Sequence, residues 1–122
     1  MLFSMLLDLI AFSIGNAVKR NKSMKEMMSA RNFVFVIMTE DGQIGRRYIF
    51  KDGKYSSDKV LSDYNIALVW KDAKVAFQTL VFGGQSGLQQ AMNDWKLKIL
   101  GNTDLFNFFG VVLMTALGKM KR

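Results

Sequence analysis

The groups that could do chemistry in this 122-residue chain are ten carboxylates, seventeen lysines and arginines, three tyrosines and a scatter of hydroxyls. It has no histidine, the side chain most often used as a general base or zinc ligand near neutral pH. It has no cysteine either, so thiolate chemistry and disulfides are both excluded. No zinc-ligand set, P-loop, dinucleotide-binding glycine pattern or Gly-x-Ser-x-Gly elbow occurs. Asp41-Gly42-Gln43-Ile44-Gly45 is the nearest approach to a phosphate loop, but no suitable helix follows it, and a turn is the better reading. The expectation is a protein without catalytic residues, metal or cofactor.

Charge is the next candidate for function. The formal net charge is +7, and Lys19, Arg20, Lys22, Lys25 and Arg31 cluster against Glu26 alone. Such a segment attracts anionic membrane or nucleic acid, or simply keeps an apolar-rich domain soluble. Aromatics such as Tyr48 and Tyr55 are not grouped as a base-stacking platform, so nucleic acid is not expected as a partner. Lys19, Arg20, Lys22 and Lys25 are the candidate membrane contacts.

The third candidate is apolar surface. A last helix from about Asp104 to Leu117 carries Leu105, Phe106, Phe108, Phe109, Val111, Val112, Leu113, Met114 and Leu117, so it is apolar around most of its circumference. Such a helix is buried on two sides or lines something apolar that is not protein. Leu2 to Val18 is the most hydrophobic window, relieved by a narrow polar stripe of Ser4, Asp8, Gly15 and Lys19. A secretory signal would place basic residues before the apolar region, and here they follow it. A transmembrane span wants about 20 residues without a central charge, and Asp8 interrupts this one. An amphipathic helix packed on the domain, on a second copy or in a membrane interface is the expected form, with protein favoured over lipid. Asn21 to Asn32, with Met24, Met27 and Met28 at helical spacing, reads as a short helix leading into the sheet.

Phe33 to Gly53 organises the chain that positions these surfaces. Phe33 to Met38 has no polar residue and reads as a strand buried on both faces. Asp41-Gly42 turns the chain, Arg46 to Phe50 pairs back with one wet face, and Asp52-Gly53 predicts a type I′ hairpin into Lys54 to Ser57. Ile66 to Trp70 is a fourth strand. Asp72 caps the helix after it, whose Ala73, Ala76, Phe77, Leu80 and Val81 share one face, and Gly83-Gly84 is its expected end. A shorter helix covers Ser86 to Asn93, and Lys96 to Leu100 alternates as a fifth strand. The chain therefore reads as one domain, with a helical segment at 1–31 and sheet plus helices at 32–122.

The order and spacing of these pieces resemble the sterol carrier protein-2 (SCP-2) family. They are an apolar strand into Asp-Gly, a strand ending Phe50-Lys51-Asp52-Gly53-Lys54, then Lys71-Asp72-Ala73 opening an amphipathic helix, and finally Trp95-Lys96-Leu97-Lys98-Ile99-Leu100-Gly101-Asn102. The resemblance covers roughly Phe33 to Leu117. It implies an α+β fold, a five-stranded mostly antiparallel sheet covered on one face by about five helices, with an apolar tunnel between sheet and helices. It implies a lipid carrier holding a sterol, fatty acyl or isoprenoid-type ligand. Phe77, Leu80, Met92, Phe109, Leu113 and Leu117 are the expected lining. Met120-Lys121-Arg122 is not the peroxisomal address of eukaryotic members, so a bacterial-type cytoplasmic protein, peripheral to the inner face of the membrane, is expected. The alternative is a non-catalytic accessory or homodimerisation module that buries its apolar helices without any lipid.

Overall fold

In the computed structural model, Phe33–Thr39 (β1), Gly45–Lys51 (β2), Lys54–Asp58 (β3), Ile66–Trp70 (β4) and Leu97–Gly101 (β5) form one sheet in the order β3-β2-β1-β4-β5. The structure describes residues 2–20, 22, 25, 26, 29 and 32–116, with the side chains of residues 85, 109 and 113–116 outside that description. Neighbouring strands are antiparallel except β1 and β4, which run parallel in the centre. The hairpin between β2 and β3 is the one the dipeptide predicts, because Asp52 (φ 53°) and Gly53 (φ 76°) both sit on the positive side. At the first turn the Asp41 carboxylate accepts from the Thr39 hydroxyl at 2.6 Å and from the Gln43 N–H at 3.0 Å. Those two bonds, the hydroxyl's first, hold the Asp41 carboxyl below its ordinary pKa. The segment that could pass for a phosphate loop is thus a turn closed by its own side chain.

The inner face of the sheet carries Phe33, Phe35, Tyr48, Phe50, Leu68 and Trp70, all buried. Rings from adjacent strands stack, Phe33 on Phe50 and Phe35 on Tyr48, each pair 4.8 Å apart. Four α-helices are described over this face: α1 (Leu2–Arg20), α2 (Ala73–Gln78), α3 (Gly84–Asn93) and α4 (Phe106–Ala116). α1 buries Phe3, Leu6, Leu7, Ile10 and Ile14, the spacing of a single helical stripe. Two phenols fix it to the strands: the Tyr48 hydroxyl donates to the Leu7 carbonyl at 2.9 Å, and that of Tyr55 to the Ala11 carbonyl at 3.0 Å. Asp8, the charge that interrupts the apolar window, pairs with Arg46 of β2 at 2.9 Å. α4 packs beside α1 and sets Phe108 edge-on to Phe33, 4.7 Å away.

The outer face is covered differently. Leu61 and Tyr64, in the loop between β3 and β4, lie with Met38 over Val36, Ala67 and Val69, so β1 is buried on both faces as its composition requires. Asn65 ties the loop down, its side chain accepting from the Val34 N–H at 2.7 Å and its carbonyl from the Asn102 N–H at 2.8 Å. Gly101 (φ 90°) passes so close to that carbonyl that a Cβ would collide with it.

α2 begins as expected, with the Asp72 carboxylate accepting from the Val75 N–H at 2.8 Å. Its end falls at the expected glycines, after the helix has widened into a π-helical turn, Thr79–Gly83. Gly84 takes φ 64° and ψ −159°, outside the helical range, and α3 starts there with no loop between. The pieces expected at Met24, Met27 and Met28 lie outside the described residues.

Candidate functional site

The most open apolar surface is built by α1 and the α2–π-turn segment. α1 is apolar on more of its circumference than the sheet can cover, so a second stripe is left over: Leu2, Met5, Leu9 and Phe12 are each more than half exposed. Phe82 of the π turn, 77% exposed, stands beside it. Between the two elements lie two clefts. One, of about 370 Å³, has Phe3 and Ala73 at its base and Leu2, Phe77 and Phe82 around it. The other, of about 480 Å³, runs along Met5, Leu6 and Leu9 against Phe77 and Val81. Leu2 and Phe77 border both. Contiguous apolar surface of this kind on a small domain marks a place where something else binds. A third cleft, about 320 Å³ between α2 and α3, is more polar, with Gln78, Gln90, Asp94 and Lys96 along it.

Of the expected lining residues whose side chains are described, Phe77, Leu80 and Met92, the first borders the apolar clefts and the other two do not. Leu80 is wholly buried in the core, and Met92 is half-buried against it. Phe109 and Leu113 belong to α4 by their backbone, but their side chains lie outside the described ones, as does Leu117 altogether. Lys19 and Arg20 are exposed in the last turn of α1. Lys22 and Lys25 are exposed beyond it and border an open hollow with Glu26 and Ser29. The sequence reading missed Leu2, Met5, Leu9, Phe12 and Phe82. Their signal was present, since positions 2, 5, 9 and 12 repeat at helical spacing on a face the buried stripe does not use.

The two phenols that anchor α1 are chemically quiet. Burial pushes the Tyr48 hydroxyl well above its ordinary pKa and that of Tyr55 up to about 12, so both stay protonated as donors to α1. No group of three or more metal-ligating acidic side chains occurs among the described residues. One polar atom stands out. Trp70, wholly buried at the end of β4, has an indole N–H with no hydrogen-bond partner among the described residues. Leaving such a donor unpaired costs about 1–3 kcal/mol.

No family model and no curated protein sequence matches this chain. Solved structures do. "Sterol Carrier Protein 2 from Yarrowia Lipolytica (apo form)" superposes with a TM-score of 0.66 at 21% identity, covering 93% of this chain and 91% of that one. The chain has an SCP-2-like fold. A structure titled "UbiJ-SCP2 Ubiquinone synthesis protein" matches with a TM-score of 0.65 at 13% identity, over 93% of this chain and 94% of the other. The SCP-2-like fold also forms part of a larger chain, the sec-alkylsulfatase Pisa1 from Pseudomonas, where 72% of this chain matches 14% of that one with a TM-score of 0.55. The five-stranded sheet with its helical cover is therefore as the resemblance implied.

Proposed function

We propose that this protein binds a lipid, a sterol, fatty acyl or isoprenoid-type molecule, in the apolar clefts between α1 and the α2–π-turn segment. The observation that carries the reading is the apolar stripe from Leu2 to Phe12, left exposed and continuous with clefts shared by Leu2 and Phe77. Moving about 200 Å² of apolar ligand and protein surface out of water contributes roughly 5 kcal/mol, which alone corresponds to a dissociation constant of about 0.2 mM, and each further 55 Å² buried tightens it about tenfold. Nothing in the clefts requires catalysis, and the reading is of a carrier. Its neighbours in fold bear names from sterol carriage and ubiquinone synthesis, which supports an apolar ligand.

Native mass spectrometry of the purified protein, followed by solvent extraction, is the direct test. A bound mass of lipid size is expected, and it should be lost in Phe77→Asp provided that variant still melts cooperatively. A bare chain that also fails to take up a panel of fluorescent lipids would sink the proposal. The second reading, an accessory or dimerisation module, predicts instead a compact dimer or a partner complex with no extractable lipid.

A further inference from the structure

The clefts on either side of the π-helical turn are neighbours. Gln78 and Phe82 border the first apolar cleft and also the polar cleft between α2 and α3. Leu2 and Phe77 join the first apolar cleft to the second in the same way. All three are open to solvent, so a ligand laid along the surface can span them without any channel through the core. Phe82 is the ridge between the polar end and the apolar ones. The fold leaves its ring 77% exposed, and a chain crossing the ridge would take that apolar surface out of water.

The polar end has the composition of a head-group site. Gln78 and Gln90 bring amides, half-buried Thr79 a hydroxyl, and Asp94 and Lys96 one charge of each sign. The Gln90 side-chain N–H donates to Asp94 Oδ1 at 3.1 Å, which leaves the amide's carbonyl oxygen as an acceptor. Amides and hydroxyls both donate and accept, so they suit a ligand head that does the same. A head with a net charge meets a like charge here, Asp94 against an anion and Lys96 against a cation; an uncharged head meets none. Two glycines keep the space. Gly83 and Gly87 line this cleft, and a Cβ would stand 3.4 Å from Thr79 Cγ2 at the first and 3.5 Å at the second, so a larger side chain would fill the hollow. The apolar clefts offer a head far less. Among the described residues the second has no polar side chain along it, and the first has only Lys74 and Gln78.

We propose that the ligand is a single-chain amphiphile with an uncharged head bearing hydroxyls or amides, its head in the α2–α3 cleft and its chain passing Phe82 into the apolar clefts along α1. This rests on the lipid-binding reading and narrows it to a ligand class and an orientation.

The test compares decyl chains with different heads by isothermal titration calorimetry, below their micelle concentrations. Salt is set at roughly 0.3 M, which screens the general pull of the +7 chain on anions. Monodecanoylglycerol is expected to bind roughly tenfold more tightly than decanol, decyl phosphate or decyltrimethylammonium, the worth of one or two added hydrogen bonds. Gly87→Leu fills the polar cleft from a position that borders neither apolar one, and it replaces a glycine within α3, so the fold should hold. It is expected to bring monodecanoylglycerol down to the affinity of decanol and to leave decanol unchanged. In the unsubstituted protein, the Gln90 side-chain amide resonance should shift in 15N–1H spectra with monodecanoylglycerol and not with decanol. Decyl phosphate, decyltrimethylammonium or decanol binding as tightly as monodecanoylglycerol overturns the assigned head. A Gln90 amide that stays in place, or undiminished binding to folded Gly87→Leu, overturns the orientation and leaves lipid binding standing. Should Gly87→Leu not fold, the Gln90 resonance decides alone. Failure of all four compounds to bind or to raise the melting temperature overturns the inference together with the lipid-binding reading.

Discussion

Gly42 and Gly101 look alike in the sequence and differ in what surrounds them. Both have positive φ, but a Cβ at Gly42 would meet nothing within 4 Å, whereas at Gly101 it would meet the Asn65 carbonyl and the start of β4. Gly42→Ala should therefore cost only the backbone strain, about 1 kcal/mol. Gly101→Ala must also push β5 off β4, and a loss of at least about 3 kcal/mol is expected in thermal melts. That contact explains why the Lys-Leu-x-Ile-x-Gly-Asn string was legible as a pattern while its reason was not, since Asn65 is far away in sequence. Tyr48 and Tyr55 give a residue-scale prediction in pH. Their folded pKa values lie above the ordinary 10 of the unfolded chain, so the unfolded state loses its protons first as pH rises. Stability is thus full below pH 10 and falls above it, by up to about 1.4 kcal/mol per pH unit for buried Tyr48 and less for the partly solvated Tyr55. Melts between pH 8 and 11.5 should show the decline, and Tyr55→Phe should make it shallower.

Elements were the most legible level. Strands were readable because Phe33 to Met38 and Ile66 to Trp70 have no polar residue and are bounded by Asp-Gly or Asp-capped turns, and each is central in the sheet. Helix ends were less so. Gly83-Gly84 carries the usual stop signal and Gly84 does leave the helical conformation, but the π turn before it and the immediate restart as α3 have no mark in the sequence. The stop after Asn93 has no glycine. There the Lys96 N–H reaches back to the Ala91 carbonyl at 2.9 Å and that of Trp95 to Met92 at 3.2 Å, with Trp95 itself in the left-handed conformation, φ 61°. This is a Schellman ending with tryptophan where glycine is usual. Because the Trp95 side chain is almost wholly in solvent, Trp95→Gly should lose little packing and raise stability by about 1 kcal/mol, read as a higher melting temperature. The clefts were legible only in part. Helical periodicity shows that α1 is too apolar for one face, but which stripe remains outside depends on Tyr48, Tyr55 and Arg46 anchoring the helix from strands distant in sequence.

At the scale of the whole molecule, the exposed stripe of α1 is followed along the chain by exposed basic residues. Lys19 and Arg20 end the helix that presents Leu2 to Phe12, and Lys22 follows in the exposed chain. An apolar ridge with cations at one end fits an anionic membrane surface. Charge reversal at Lys19, Arg20 and Lys22 is expected to abolish co-sedimentation with phosphatidylserine vesicles at low salt; unchanged co-sedimentation would remove membrane docking from the account. The anchoring of α1 also has a temporal side. Leu7 and Ala11 are made first, and the tyrosines that hold them follow 41 and 44 residues later. At synthesis rates of about 5–20 residues per second, this long amphipathic helix therefore waits roughly 2–9 s for its seat. A nascent fragment that ends before β2 should partition into detergent micelles or a chaperone, while the finished protein keeps that face covered. Each new chain thus carries an unseated amphipathic helix until the sheet arrives to claim it.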